Sequence, residues 1–278
     1  MPFLNNAHTH STYCDGKNPI RAMIDAACQA EFVSLGFSGH ASQNYDFDYC
    51  MSRDNQRAYF DELHALQKEP LPLRLWDGLE VDALIPEDEM ALTREADYTL
   101  GSAHYLHAVY GGEGIAVDGD PVLLKAHIDS VYSGDGLAAL RHYYDIFVDF
   151  LLSYKPDIIG HFDLPRKYAQ KLNLFDESSP IYRRLVLDAL ERAFPSGSVL
   201  EVNTGGMARG YLDTPYPTLE LLCAWREMGG KVTITSDCHD CRYLTHAFDM
   251  AERMIHEAGF QSVMRLGAAD ALWEEIGL

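Results

Sequence analysis

Several histidines and acids in this chain each stand just past an apolar run, and two pairs lie a single residue apart. His8-Thr9-His10 places two imidazoles two positions apart. On an extended strand end such residues share a face and can grip one ion. Asp237-Cys238-His239 repeats that i, i+2 geometry far along the chain. Between the two pairs, His40 closes VSLGFSGH, Glu80 closes LRLWDGLE, His104 closes YTLGSAH and His161 closes PDIIGH. An imidazole buried at such a place costs free energy unless its nitrogens have partners. Independent core histidines have no reason to recur at one kind of terminus, and a shared metal supplies the reason. Asp15 lies in STYCDGKNP, where Asp-Gly is also a common turn signal. Glu80 could bridge two cations, and Asp82, two residues on, faces the same mouth as a supporting group. Ligands delivered by one strand end after another predict a polynuclear metal site and suggest hydrolysis.

The elements that must position these residues alternate. Strand-like segments are Phe3–Ala7, Val33–Ser38, Leu73–Leu79, Tyr98–Ser102, Asp157–Ile159, Val199–Asn203 and Lys231–Thr235. Helical patterns run from Pro19 through IRAMIDAACQA and over Arg53–Lys68, Pro121–Tyr132, Leu137–Tyr154, Ile181–Phe194, Thr218–Met228 and Thr245–Ala258. Strands separated by helices indicate a parallel sheet with crossover helices. About seven such units point to a barrel of the TIM type. The rival is an open doubly wound sheet, which would gather function near one switch point. Ligands at nearly every strand end favour the barrel. Asp82–Arg94 and Tyr105–Asp120 read as longer loops over the site, the second made pliable by Gly111, Gly112 and Gly114.

The 278 residues, 47% of hydrophobic types, suit one domain spanning residues 1–278. No run of about 18 apolar residues predicts a membrane span. MPFLNNAHTH does not read as a secretory leader. Six scattered cysteines then fit free thiols in a cytoplasmic, reducing setting, and Cys238-x-x-Cys241, with no second such pair, does not read as a redox or zinc motif. With 22 Lys+Arg against 42 Asp+Glu, the net charge of −20 repels a phosphate backbone and argues against nucleic-acid binding. A small phosphorylated substrate is not excluded, because bound cations can reverse the local potential.

Taken in order, HTHSTYCDG, FSGH, GLEVD, GSAH, IIGHFDLPRKY, EVNTGG and TSDCH resemble the polymerase and histidinol phosphatase (PHP) family of metal-dependent phosphoesterases. Asp15, DIIGHFDL and the DGDPVLL…YSGDGLAAL insertion are similar to its monofunctional histidinol-phosphatase branch. The resemblance implies a distorted (β/α)7 TIM-like barrel with three divalent metal ions at the C-terminal ends of its strands. It gives the first ion His8, His10, Glu80 and Asp237, the second Glu80, His104 and His161, and the third Asp15, His40 and His239. Such His and carboxylate sets accept Zn, Fe or Mn. It also implies hydrolysis of L-histidinol phosphate in histidine biosynthesis by a metal-bridged hydroxide.

Arg166 and Arg209 are the expected phosphate clamps, since guanidinium forks match phosphate oxygens. Lys17 and Arg53 are weaker candidates, and Lys167 is expected to point away. Asp46, Asp48, Asp82 and Tyr105 could meet the amine and imidazole of such a substrate. Other readings stay open here: another small phosphorylated metabolite or nucleotide, a binding protein built on a dead barrel, or an amidohydrolase-type enzyme. The last commonly carries a bridging Lys on a strand, and none is placed so here.

Overall fold

The computed structural model describes residues 4–108, 112 and 114–278. In chain order its strands are β1 (Ser34–His40), β2 (Arg74–Asp82), β3 (Tyr98–Ser102), β4 (Tyr105–His107) and β5 (Ile115–Ala116). They continue with β6 (Ile158–Ile159), β7 (Val199–Asn203), β8 (Val232–Thr235), β9 (Ser262–Leu266) and β10 (Trp273–Gly277). Six of them form one curled, half-barrel sheet in the order β1-β2-β3-β6-β7-β8. Every pair in it is parallel. The order follows the chain without reversal, so there is no switch point of the doubly wound kind.

Residues 4–10, expected to contribute a strand at Phe3–Ala7, form no named strand, and Phe3 lies outside the described residues. The segment nevertheless bonds to both edges of the sheet. On the β1 side Val33 N–H donates to Leu4 O (3.0 Å), Gly36 N–H to Asn6 O (2.9 Å) and Ser38 N–H to Thr9 O (2.9 Å). On the other side His10 N–H donates to Cys238 O and Cys238 N–H to His8 O, both at 2.9 Å.

The outer faces carry helices whose apolar residues recur at helical spacing. Ile20, Met23, Ile24 and Ala27 are the buried side of the helix Ile20–Gln29. Ser52, Asp120, Asp135 and Ser179 cap the helices that follow them by accepting backbone N–H groups. The inner face reads with period two: Trp76, Gly78 and Glu80 alternate along β2. Tyr98 lies across this face. A Cβ on Gly78 would stand 2.4 Å from the Tyr98 ring, and one on Gly36 the same distance from its hydroxyl. The two glycines give the ring its room, and the Tyr98 hydroxyl donates to Ala7 O at 2.7 Å. Ala7, Trp76, Tyr98, Leu100, Ile158 and Leu266 form an apolar floor. The polar residues stand above it.

Two of the expected loops contain structure. Asp82 ends β2, and beyond it come a short helix, Glu87–Met90, and a 3₁₀ turn, Ala91–Glu95. The 105–120 connection holds the antiparallel β4–β5 hairpin, while Gly111 lies outside the described residues. The β9–β10 hairpin was not expected; β9 supplies Leu266 to the floor. Among the described residues no helix is long and apolar enough to cross a membrane.

Candidate metal centre

All nine candidate ligands lie at the C-terminal edge of the parallel sheet and converge. Registry starts the process: His40 pairs with Glu80 across β1 and β2. Glu80 is central. Its Oε2 lies 3.2 Å from His8 Nε2, 3.5 Å from His10 Nε2 and 3.1 Å from His40 Nδ1. Its Oε1 lies 3.1 Å from His161 Nε2 and 3.5 Å from His104 Nε2. Asp237 Oδ1 is 3.6 Å from His8 Nε2, 3.4 Å from His10 Nε2 and 3.3 Å from His239 Nδ1. Asp237 reaches this place from a left-handed backbone conformation (φ 47°) just past β8. Strained backbone of this kind clusters at functional sites. Asp15 Oδ2 is 3.0 Å from His239 Nε2, and Asp15 Oδ1 is 3.7 Å from His40 Nε2.

Three groups offer ligand atoms all within 4.8 Å of one another: His8, His10 and Glu80; Glu80, His104 and His161; and His10, Asp15, His40 and His239. His10 therefore stands between two groups, a sharing that the sequence did not suggest. Asp237 adjoins the first group through the contacts above.

The groups set one another's protonation. Burial disfavours the charged form of Glu80, but His8, His40 and His104 outweigh it and hold the carboxyl well below its ordinary range. The same contest, won by Arg209 and His8, keeps Asp237 ionised. Burial pulls His40 down to about 3, only partly opposed by Glu80 and Asp15. For His104 burial loses to Glu80 and Asp82, and the imidazole is pushed up to about 9. For His8 it loses to Glu201, Glu80 and Asp237.

A divalent cation fits this donor set. Three carboxylates and six imidazoles share a small volume in which the acids are held ionised. The buried His10 Nε2 lies 3.4 Å from Asp237 Oδ1 and 3.5 Å from Glu80 Oε2, too long for a well-formed hydrogen bond to either. Such an atom suits a cation placed between nitrogen and oxygens better than a proton. Supporting acids stand behind the imidazoles. Asp82 Oδ2 accepts from His104 N–H (2.9 Å) and lies 3.2 Å from His104 Nδ1. Glu201 Oε2 lies 2.9 Å from His8 Nδ1. Glu201 was missed as a site residue, although EVNTGG was noticed. An acid inside the apolar run VLEVN was the available signal.

A cavity of about 720 Å³ opens over the cluster, lined among others by Lys17, Tyr49, Tyr105, Lys167, Arg209 and Arg242. Arg209 reaches the cluster directly, with Nη2 2.6 Å from Asp237 Oδ2. Arg166 does not line the cavity. Its guanidinium bonds Glu177 (2.8 Å), Asp163 (3.3 Å) and Thr214 Oγ1 (3.3 Å) on a neighbouring surface. Lys167, expected to point away, lines the cavity and donates to Asp118 O at 2.6 Å. Arg53 is engaged by Asp88 and Glu89 and does not line the cavity. Of the residues expected to meet an amine or imidazole, Asp46 and Tyr105 line the cavity and bond each other at 2.6 Å. Asp48 does not line it, and Asp82 sits beneath it.

A parallel α/β sheet with a His and carboxylate cluster at its C-terminal edge defines the class of protein. Residues 6–205 match the PHP domain, and the chain belongs to that family. A relative from Deinococcus radiodurans named "Probable histidinol-phosphatase" is 28% identical over 274 residues, covering 95% of this chain and 96% of the relative. A crystal structure from Listeria monocytogenes, described as "the putative histidinol phosphatase hisK", superposes with a TM-score of 0.72 at 19% identity. That match covers 88% of this chain and 98% of the other. Histidinol phosphate phosphatase from Lactococcus lactis, solved with zinc, L-histidinol and phosphate, gives 0.69 at 18% identity, covering 95% and 97%.

Proposed function

We propose that this chain is a metal-dependent phosphomonoesterase that hydrolyses L-histidinol phosphate to L-histidinol and phosphate in histidine biosynthesis. The observation that carries the reading is the convergence of His8, His10, Asp15, His40, Glu80, His104, His161, Asp237 and His239 into overlapping groups. The name of the full-length Deinococcus relative and the ligands of the Lactococcus structure support it. In this reading His8, His10, Glu80 and Asp237 hold one ion. Glu80, His104 and His161 hold a second, and Asp15, His40 and His239 a third. Zn, Fe and Mn all suit imidazole and carboxylate donors. Bound divalent ions would supply Lewis acidity and a water acidified toward neutral pH.

The chain's own residues do the rest. Arg209, Lys17 and Lys167 bring positive charge to the cavity wall, where phosphoryl oxygens need it. Arg209 also neutralises Asp237, which keeps that carboxylate available as a donor. Tyr49, Tyr105 and Asp46 form an aromatic and acidic wall suited to the cationic part of the substrate. Residues 4–10, bonded to both sheet edges, serve as the seventh stave of a distorted (β/α)7 barrel. The chain acts as a single domain in the cytoplasm, where its six cysteines stay reduced.

The test is phosphate release by metal-replete protein from L-histidinol phosphate, compared with nucleoside monophosphates and a dinucleotide, together with elemental analysis. Preferential release from L-histidinol phosphate is expected. Preference for a nucleotide would redirect the substrate assignment, and no release from any monoester would end the reading.

A further inference from the structure

One acid beneath the cluster has no ligand role above. Glu201, in the interior of β7, is fully buried and accepts two hydrogen bonds on each oxygen. Oε2 takes Thr235 Oγ1 (2.7 Å) and His8 Nδ1 (2.9 Å). Oε1 takes Asn203 Nδ2 (2.8 Å) and the backbone N–H of His161. A carboxylate withdrawn from water is costly unless its oxygens are occupied. Four donors occupy them here and leave the group no freedom to turn. An ionised carboxylate only accepts, so the proton on the facing side of His8 sits on Nδ1. The other nitrogen, Nε2, then points at Glu80 Oε2 (3.2 Å) and Asp237 Oδ1 (3.6 Å).

We infer that Glu201 is a positioning residue of the metal centre, fixing the tautomer and ring angle of His8 so that Nε2 is presented as a donor. A carboxylate behind a ligating histidine both orients the ring and raises its basicity. The inference rests on the metal-centre reading above.

The experiment is a double-mutant cycle read by zinc titration of chelator-stripped protein, with wild type, Glu201→Gln, His8→Ala and the pair. Glu201→Gln should weaken zinc binding about 10- to 100-fold with the circular dichroism spectrum unchanged. In the His8→Ala background the same change should cost little more, because Glu201 acts through a ring that is gone. In zinc-loaded wild type the His8 Nδ1–H proton should resonate far downfield and move upfield in Glu201→Gln. If Glu201→Gln does not fold, Glu201→Asp carries the cycle; it keeps the charge and withdraws the oxygens by one carbon. Full additivity of the two losses, or wild-type affinity in the Glu201 variant, overturns the inference. Wild-type protein that binds no zinc overturns the metal-centre reading instead, and this inference with it.

Discussion

Arg166 and Lys167 are adjacent in the sequence and part company in space. They sit on a one-turn helix, Arg166–Ala169, where successive side chains diverge by about 100°. Sequence placed both near the right strand end, but four residues of helix carry too little periodicity to say which one faces the cavity. Arg209→Ala should lower kcat/KM about 100-fold, the scale of losing one preorganised donor. Metal content by elemental analysis should fall less steeply than activity, since Asp237 keeps His8 and His10 beside it when Arg209 is gone. Arg166→Ala should act on stability, because it removes the charged partner of the buried Asp163 and leaves its Oδ2 only the Thr218 N–H. Breaking a buried pair costs on the order of 3 kcal/mol, which urea unfolding would register while kcat changes little. The imidazoles were legible for a different reason. His40 and His161 directly follow glycines at the ends of apolar runs, so position and chemistry agree in one short stretch. Glu201 had no such companion signal, since its partners His8, His161 and Thr235 lie far from it in sequence.

At the scale of elements, the sheet decides which residues meet, and its glycines decide how closely. Gly78→Ala would set a methyl 2.4 Å from the Tyr98 ring and 2.9 Å from Phe37 O. The backbone atom cannot yield as a side chain can, so a loss of about 1–3 kcal/mol is expected in urea unfolding. The start of β3 carries a pH effect. Burial and the adjoining Asp77 push the Asp97 carboxyl up to about 7. Raised above the ordinary value near 4, it stabilises the fold fully below that pH, and the contribution is lost as pH rises through 7. Asp97→Asn should therefore raise the melting temperature at pH 8 and leave it nearly unchanged at pH 4. β3 and β7 have the bounds expected, because their apolar runs stop at small or polar residues. The β9–β10 hairpin escaped because its six-residue connection, GAADAL, lacks the Asn-Gly or Asp-Gly pair that marks a tight turn.

For the whole molecule, ion binding and folding share one free energy. A ligand that binds only the native state at 100 times its Kd adds about 2.7 kcal/mol. Stripping with a chelator should therefore lower the melting temperature, and stoichiometric zinc should restore it; an unchanged melting curve would contradict a site that is part of the native structure. Residues 4–10 carry this coupling furthest. They hold His8 and His10 between β1 and Cys238, two neighbours made at opposite stages of synthesis. During synthesis His8 and His10 precede the strand end that pins them, and that supplies Asp237 and His239, by more than two hundred residues. The centre thus cannot close before Cys238 has met residues 8–10, and cation uptake then reports that the two ends of the sheet have joined.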